Sequence, residues 1–166
     1  NSYFEILRAG VNTTIQDKGR NHMHHFGIAV SGAIDQRNFK LSNKLVNNDL
    51  REAVIEFAYQ GPLLKLINGK INFSITGDVL FKIIRKKSGV EDGICYKNYT
   101  LEDKDQVDII STKNTTYGYL SVSGGFELEK VWNSYSTNTK ANIGSNKGKK
   151  YSTEDKIYIR HSKLQK

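Results

Sequence analysis

Gln16, Asp17 and Arg20 follow a short β-like run, Thr13 to Ile15, and lead through Gly19 and Gly27 into Ser31-Gly32-Ala33-Ile34-Asp35. Gly19 and Gly32 permit backbone angles closed to other residues. Asp35 stands one residue before a helical pattern, where a carboxylate can accept from the first free N–H groups of a helix. A strand end, a glycine-bent loop and a helix N-terminus therefore meet, and such a corner suits an anion or a small polar substrate. The structural alternative is an Asp17–Arg20 ion pair that only holds the loop, since structural pairs imitate sites.

The elements that must position this corner are mostly strands. Tyr3 to Leu7 and Thr13 to Ile15 read as strands, and Gln36 to Val46 as the one convincing helix. Asp35 is its N-cap candidate, Phe39, Ser42, Asn43 and Val46 form its inward face, and Asn47-Asn48 can end it in the left-handed conformation. From Ala53 the texture is β: 53–59, 63–67, 71–76, 79–85, 94–101, 106–110, 117–123 and 156–160, with Gly69 and Gly77-Asp78 as expected hairpin turns. About ten short strands and one helix predict a mainly β fold, a closed or nearly closed β-barrel, because closure removes exposed edges. Residues 133–150 read as a long irregular loop and 161–166 as a tail of a single domain.

Glu56 lies among apolar residues and needs a donor or cationic partner, for which Arg20 is the candidate. Asn43 falls on the inward helix face, where it either bonds a neighbouring loop or positions the 13–35 corner. His22, His24 and His25 invite a metal reading, but an extended segment turns His25 away from the other two and no cysteine or carboxylate cluster completes a shell, so no metal is predicted.

The 166 residues suffice for one domain with a core, and no apolar run reaches the ~20 residues of a membrane-spanning helix. The single cysteine, Cys95, excludes an internal disulfide and fits a reducing cytoplasm. The net charge of +8 raises nucleic-acid binding, yet the charge is scattered, and Arg85-Lys86-Lys87 and Lys147 to Lys150 are not interleaved with aromatics. Neither nucleic acid nor membrane is expected as a partner. The chain has no Gly-x-Ser-x-Gly nucleophile motif and no Gly-x-x-x-x-Gly-Lys phosphate loop.

Several fragments, in order, resemble the biotin-dependent carboxyltransferase family, also called allophanate hydrolase subunit 2. They are Arg8-Ala9-Gly10, Thr13 to Asp17, Gly19-Arg20, Val30 to Asp35, Asn43 to Asn48, Glu56 with Gly61-Pro62, Thr76-Gly77, Tyr119 to Gly125 and Ser134-Tyr135-Ser136-Thr137. The family includes one of the subunits of bacterial 5-oxoprolinase and the carboxyltransferase part of urea carboxylase. The resemblance implies a cyclophilin-like β-barrel, and it covers the first half of the family's length, so the chain reads as an N-terminal domain or fragment. Asn133, Ile143-Gly144 and Glu154-Asp155 depart from the family's usual residues, all in the last third.

What the resemblance implies is a subunit of an ATP-dependent amidohydrolase, most simply 5-oxoprolinase, which opens 5-oxoproline to glutamate. ATP would act at the level of the complex, with a companion allophanate hydrolase subunit 1-like subunit and a third subunit. One alternative is the carboxyltransferase of a urea carboxylase-type enzyme, which would use biotin. Another is a non-catalytic regulator that binds the companion subunit, with Phe126, Trp132 and Tyr135 as anchors. An amide-type substrate needs donors for oxyanion charge and an acceptor for its N–H. Arg20 and the amides around Gly32 are the candidate donors, and Asp17, Asp35 and Glu56 the candidate acceptors. Gln16, Ser31, Asn43, Ser134, Ser136 and Thr137 are the further candidate substrate contacts.

Overall fold

The computed structural model describes residues 1–16, 33–127 and 156–160. Eleven strands and one helix occur among them: β1 (Tyr3–Arg8), β2 (Thr13–Gln16), α1 (Gln36–Leu45), β3 (Val54–Ala58), β4 (Leu63–Ile67), β5 (Lys70–Thr76), β6 (Val79–Arg85), β7 (Gly89–Asp92), β8 (Tyr99–Glu102), β9 (Gln106–Thr112), β10 (Tyr117–Val122) and β11 (Lys156–Tyr158). They form two antiparallel sheets, one ordered β11-β1-β4-β9-β6-β7 and the other β2-β3-β10-β5-β8. The expectation of a mainly β chain with one short helix holds. The closed barrel does not appear in these ladders: among the described residues no strand pairing joins one sheet to the other.

Alternation explains the packing. Phe4 and Ile6, Leu64 and Leu66, Phe81 and Ile83, and Val107 and Ile109 point inward from the six-stranded sheet. Ile15, Ile55 and Phe57, Phe73 and Ile75, Leu101, and Leu120 and Val122 meet them from the five-stranded sheet. Burying each such side chain contributes about 1.5–3 kcal/mol, so this shared layer dominates stability. Phe73 stacks on Tyr99 at 5.6 Å, and the Phe81 ring stands edge-on to both.

The turns at Asn68-Gly69 and Gly77-Asp78 are not hairpins. Each passes the chain from one sheet to the other, β4 to β5 and β5 to β6. Both use left-handed backbone, at Asn68 (φ 65°), Gly69 (φ 85°) and Gly77 (φ 103°). The tight hairpin instead joins β6 to β7, where Arg85 pairs with Gly89. Ser88-Gly89 has the composition of the hairpin tip seen here, but β7 was given no range of its own, because all four of its residues are exposed and carry no apolar alternation. The strand expected over 94–101 shrinks to β8, since Gly93 to Asn98 forms a loop.

The outer face of the five-stranded sheet is covered by α1, which packs on β10, β5 and β3. Asp35 caps the helix as expected, and Asn47 (φ 61°) turns the chain out of it. Between helix and sheet lies a small apolar cluster of Ala33, Phe39, Val54 and Tyr119, surrounded by polar side chains.

Candidate functional site

The site is built where α1 begins over β3 and β10. Glu56 points outward from β3, and its register partners are Thr14 on β2 and Tyr119 on β10. The antiparallel pleat therefore puts all three side chains on one face. Tyr119 is fully buried and Glu56 is 5% exposed.

The Tyr119 hydroxyl donates to Glu56 Oε2 at 2.6 Å and accepts the Asp35 N–H at 2.8 Å. The Ile34 N–H donates to the same carboxylate oxygen at 3.0 Å. Two successive backbone N–H groups just before the helix are thus bound by one carboxyl and one phenol. Glu56 Oε1 has no hydrogen-bond partner among the described residues. Burial pushes the Glu56 carboxyl above the usual range; the bonds from Tyr119 and Ile34 oppose this, and the nearby Asp35 charge adds to it. Burial, then the adjacent Glu56 carboxylate, drives the Tyr119 phenol far above its ordinary value, so Tyr119 keeps its proton.

Asp35 is held from the other side. Its Oδ1 accepts the Asn38 N–H at 3.1 Å and its Oδ2 accepts from Asn38 Nδ2 at 2.8 Å. Asn38 Oδ1 in turn accepts from the Tyr96 hydroxyl at 2.7 Å, whose oxygen accepts the Gly77 N–H at 3.1 Å. Asn38, Tyr96 and Tyr119 were not among the expected site residues. The signal for Tyr119 was present, since it shares a strand face with Ser121 and stands opposite Glu56.

Asn43 lies two turns along α1 and is fully buried. Its Nδ2 donates to the Glu52 carbonyl at 2.8 Å, and its Oδ1 accepts from Asn48 at 3.2 Å. The amide therefore ties the helix to the loop that follows it. Ser42, Ser74, Ser121 and Thr76 complete this layer, with Ser121 Oγ donating to Ser42 Oγ at 2.7 Å and Thr76 Oγ1 to the Asn38 carbonyl at 2.7 Å.

The structure therefore brings Asp35 and Glu56 together, and places Asn43 in the same helix–sheet layer but away from them. The Gln16 backbone pairs with Val54. Asp17, Arg20, Ser31, Gly32, Ser134, Ser136 and Thr137 lie outside the described residues, as do the histidines at 22, 24 and 25, Trp132, Tyr135, and the stretches 133–150 and 161–166. The expected Glu56 partner, Arg20, is among these; the partners seen are Tyr119 and Ile34. Among the described residues no group of three or more His, Cys, Asp or Glu side chains could hold a metal ion. No helix among them is long and apolar enough to cross a membrane.

A profile of the carboxyltransferase domain, subdomain A and B, matches residues 26–166. The chain belongs to this family. It is 28% identical over 163 residues to a 5-oxoprolinase subunit of Escherichia coli, covering 96% of this chain and 50% of the relative. It is 29% identical over 159 residues to urea amidolyase of Saccharomyces cerevisiae, covering 93% of this chain and 8% of that protein. The crystal structure of Kluyveromyces lactis urea carboxylase shares the fold with a TM-score of 0.88 at 23% identity, over 99% of this chain and 14% of the other. The chain spans about half the length of the bacterial relatives it matches. The match to the family and these relatives agrees with the resemblance drawn from the motifs.

Proposed function

We propose that this chain forms part of a multi-subunit, ATP-dependent amidohydrolase of the 5-oxoprolinase type, in which the β3–β10–α1 corner handles the amide of 5-oxoproline. The observation that carries this reading is the Glu56 carboxyl: it is buried, has one oxygen bound by two donors and the other without a partner among the described residues, and holds its proton to a higher pH than an ordinary glutamate. A carboxyl in that state suits proton transfer at an amide nitrogen or at the water that attacks the carbonyl. Hydrolysis of the ring amide consumes one water, breaks the C–N bond and leaves an amine and a carboxylate. Arg20 and the amides around Gly32 supply donors to the developing oxyanion, and Asp17 and Asp35 orient the ring N–H. Gln16, Ser31, Ser134, Ser136 and Thr137 are the further contacts in this proposal, with Asn43 bracing the helix.

The basic groove at Arg85, Lys86, Lys87 and Ser88 is also lined by Glu102, Asp103 and Asp105, and Arg85 is tied to Glu91 and Asp105. Those carboxylates repel phosphate. Nucleotide chemistry in this proposal belongs to companion subunits.

The likeness to urea amidolyase favours a second reading, carboxyl transfer from carboxybiotin to urea, which leaves biotin. One experiment separates the two: the full-length protein is combined with its companion subunits, and ADP release is followed with 5-oxoproline, then with urea and bicarbonate. Dependence on 5-oxoproline supports the first reading, and dependence on urea and bicarbonate the second. Silence with both, from a complex shown to assemble, sinks both and leaves a regulator that binds the companion subunit. In the active complex Glu56→Gln should lower kcat by about 10²–10⁴-fold, and Arg20→Ala should abolish turnover without unfolding the protein.

A further inference from the structure

The outer face of α1 carries Arg37, Lys40 and Lys44, all exposed, on one stripe of the helix. With Leu41 and Leu50 they line a single groove between α1 and the loop that follows it. Leu50 is 44% exposed, and the stems of the three cations add apolar surface to the walls. None of the three forms an ion pair among the described residues. The nearby acid, Asp49, is already bound by Arg51.

Several cations elsewhere in the described residues have acidic partners. Arg8 pairs with Asp108, Lys82 with Asp92, and Arg85 with Asp105. What sets the α1 stripe apart is that three cations without an acidic partner among the described residues rim one groove with an apolar floor. A nucleic acid would want stacking aromatics beside the charges, and the groove has none. A segment that presents a leucine-like side chain between carboxylates satisfies both rim and floor.

We propose that this groove docks an acidic amphipathic segment of a partner protein. Asp35 caps the helix that bears the groove, so the groove and the candidate site share one element. The inference rests on the subunit reading only in expecting the occupant to be a protein, and its test needs no turnover.

The probe is a synthetic helical peptide of about four turns, leucines on one face and glutamates beside them, titrated into the full chain and read by fluorescence anisotropy. A permuted peptide of the same composition and phosphatidylglycerol vesicles are the controls. The amphipathic peptide should bind, more weakly as salt rises, and Lys40→Glu and Leu50→Asp should each weaken it at least about tenfold. Both positions are exposed, so far-ultraviolet circular dichroism should confirm an unchanged fold. Equal binding of the permuted peptide, or unchanged binding in both variants, overturns the proposal. Vesicle binding that displaces the peptide and depends on the same residues would assign the groove to an anionic surface and overturn it as well. Absence of ADP release in the assembled complex would bear on the reaction and leave this result untouched.

Discussion

Tyr119 and Glu56 face each other across the β3–β10 ladder, and the tyrosine hydroxyl donates to Glu56 Oε2 over 2.6 Å. The same hydroxyl accepts the Asp35 N–H, so one oxygen atom joins the sheet to the start of the helix. Tyr119→Phe should cost about 1–3 kcal/mol, since it strands one buried acceptor and one backbone donor. Urea unfolding followed by fluorescence checks this, with the slope of the transition expected unchanged. A midpoint equal to that of the wild type would show that the hydroxyl is replaced by water at no cost.

Glu56 should make stability fall with rising pH. Its folded-state pKa is raised above the ordinary 4.5, with burial as the main cause. The folded state therefore binds more protons than the unfolded state in the window that opens near that value. The contribution is fully present below 4.5 and is lost as pH rises through the folded pKa. Glu56→Gln removes the titration, so the stability difference between variant and wild type should shift in favour of the variant across that window. Parallel curves for the two proteins would mean that Glu56 is charged at no net cost.

Asp105 should act in the opposite sense. Burial raises its pKa, but the N–H groups of Glu102 and Lys86 and the Arg85 guanidinium outweigh that and lower it below 3.8. Its contribution is present above 3.8 and lost as pH falls through the folded pKa. The residue is 5% exposed and staples the β6–β7 hairpin to the β8–β9 turn. Asp105→Ala should cost about 2–3 kcal/mol near neutral pH, because three donors lose a charged acceptor. The deficit should shrink on acidification, as measured by thermal unfolding at a series of pH values.

Much of this arrangement was legible in the sequence, and the illegible parts have physical reasons. Asp35 before Gln36, and Asn47 after Val46, marked both ends of α1 because capping is local chemistry. The inward residues of each strand followed from alternation. Sheet membership did not: Asn68-Gly69 and Gly77-Asp78 have the composition of hairpin turns, and only long-range packing decides that the chain crosses the core there. β7 was missed because Val90, Glu91 and Asp92 are exposed, and its ladder to β6 is supported by Lys82–Asp92 and Arg85–Glu91 pairs that no single segment reveals. At the site, Glu56 stood out as a lone acid in an apolar strand. Its partner across the ladder depended on register, which the sequence specifies only through the whole sheet.

Gly118, on β10, should resist even the smallest side chain. A Cβ there would lie 2.4 Å from Phe57 Cε1 and 2.7 Å from Val79 Cγ2, both in the packed layer between the sheets. Neither atom can retreat, because Phe57 is fully buried and Val79 nearly so. Gly118→Ala should therefore cost about 1–3 kcal/mol as an overpacking defect, despite alanine's lower unfolded-state entropy. Phe57→Leu alone leaves a smaller ring-shaped void and should also destabilise. Combined, the two changes should cost less than their sum by at least about 0.5 kcal/mol, because the leucine vacates the space the new methyl needs. A double-mutant cycle by urea unfolding measures that coupling. Strict additivity would show that the β10 backbone moves instead, in which case the strain should reappear at Tyr119 as a weakened bond to Glu56.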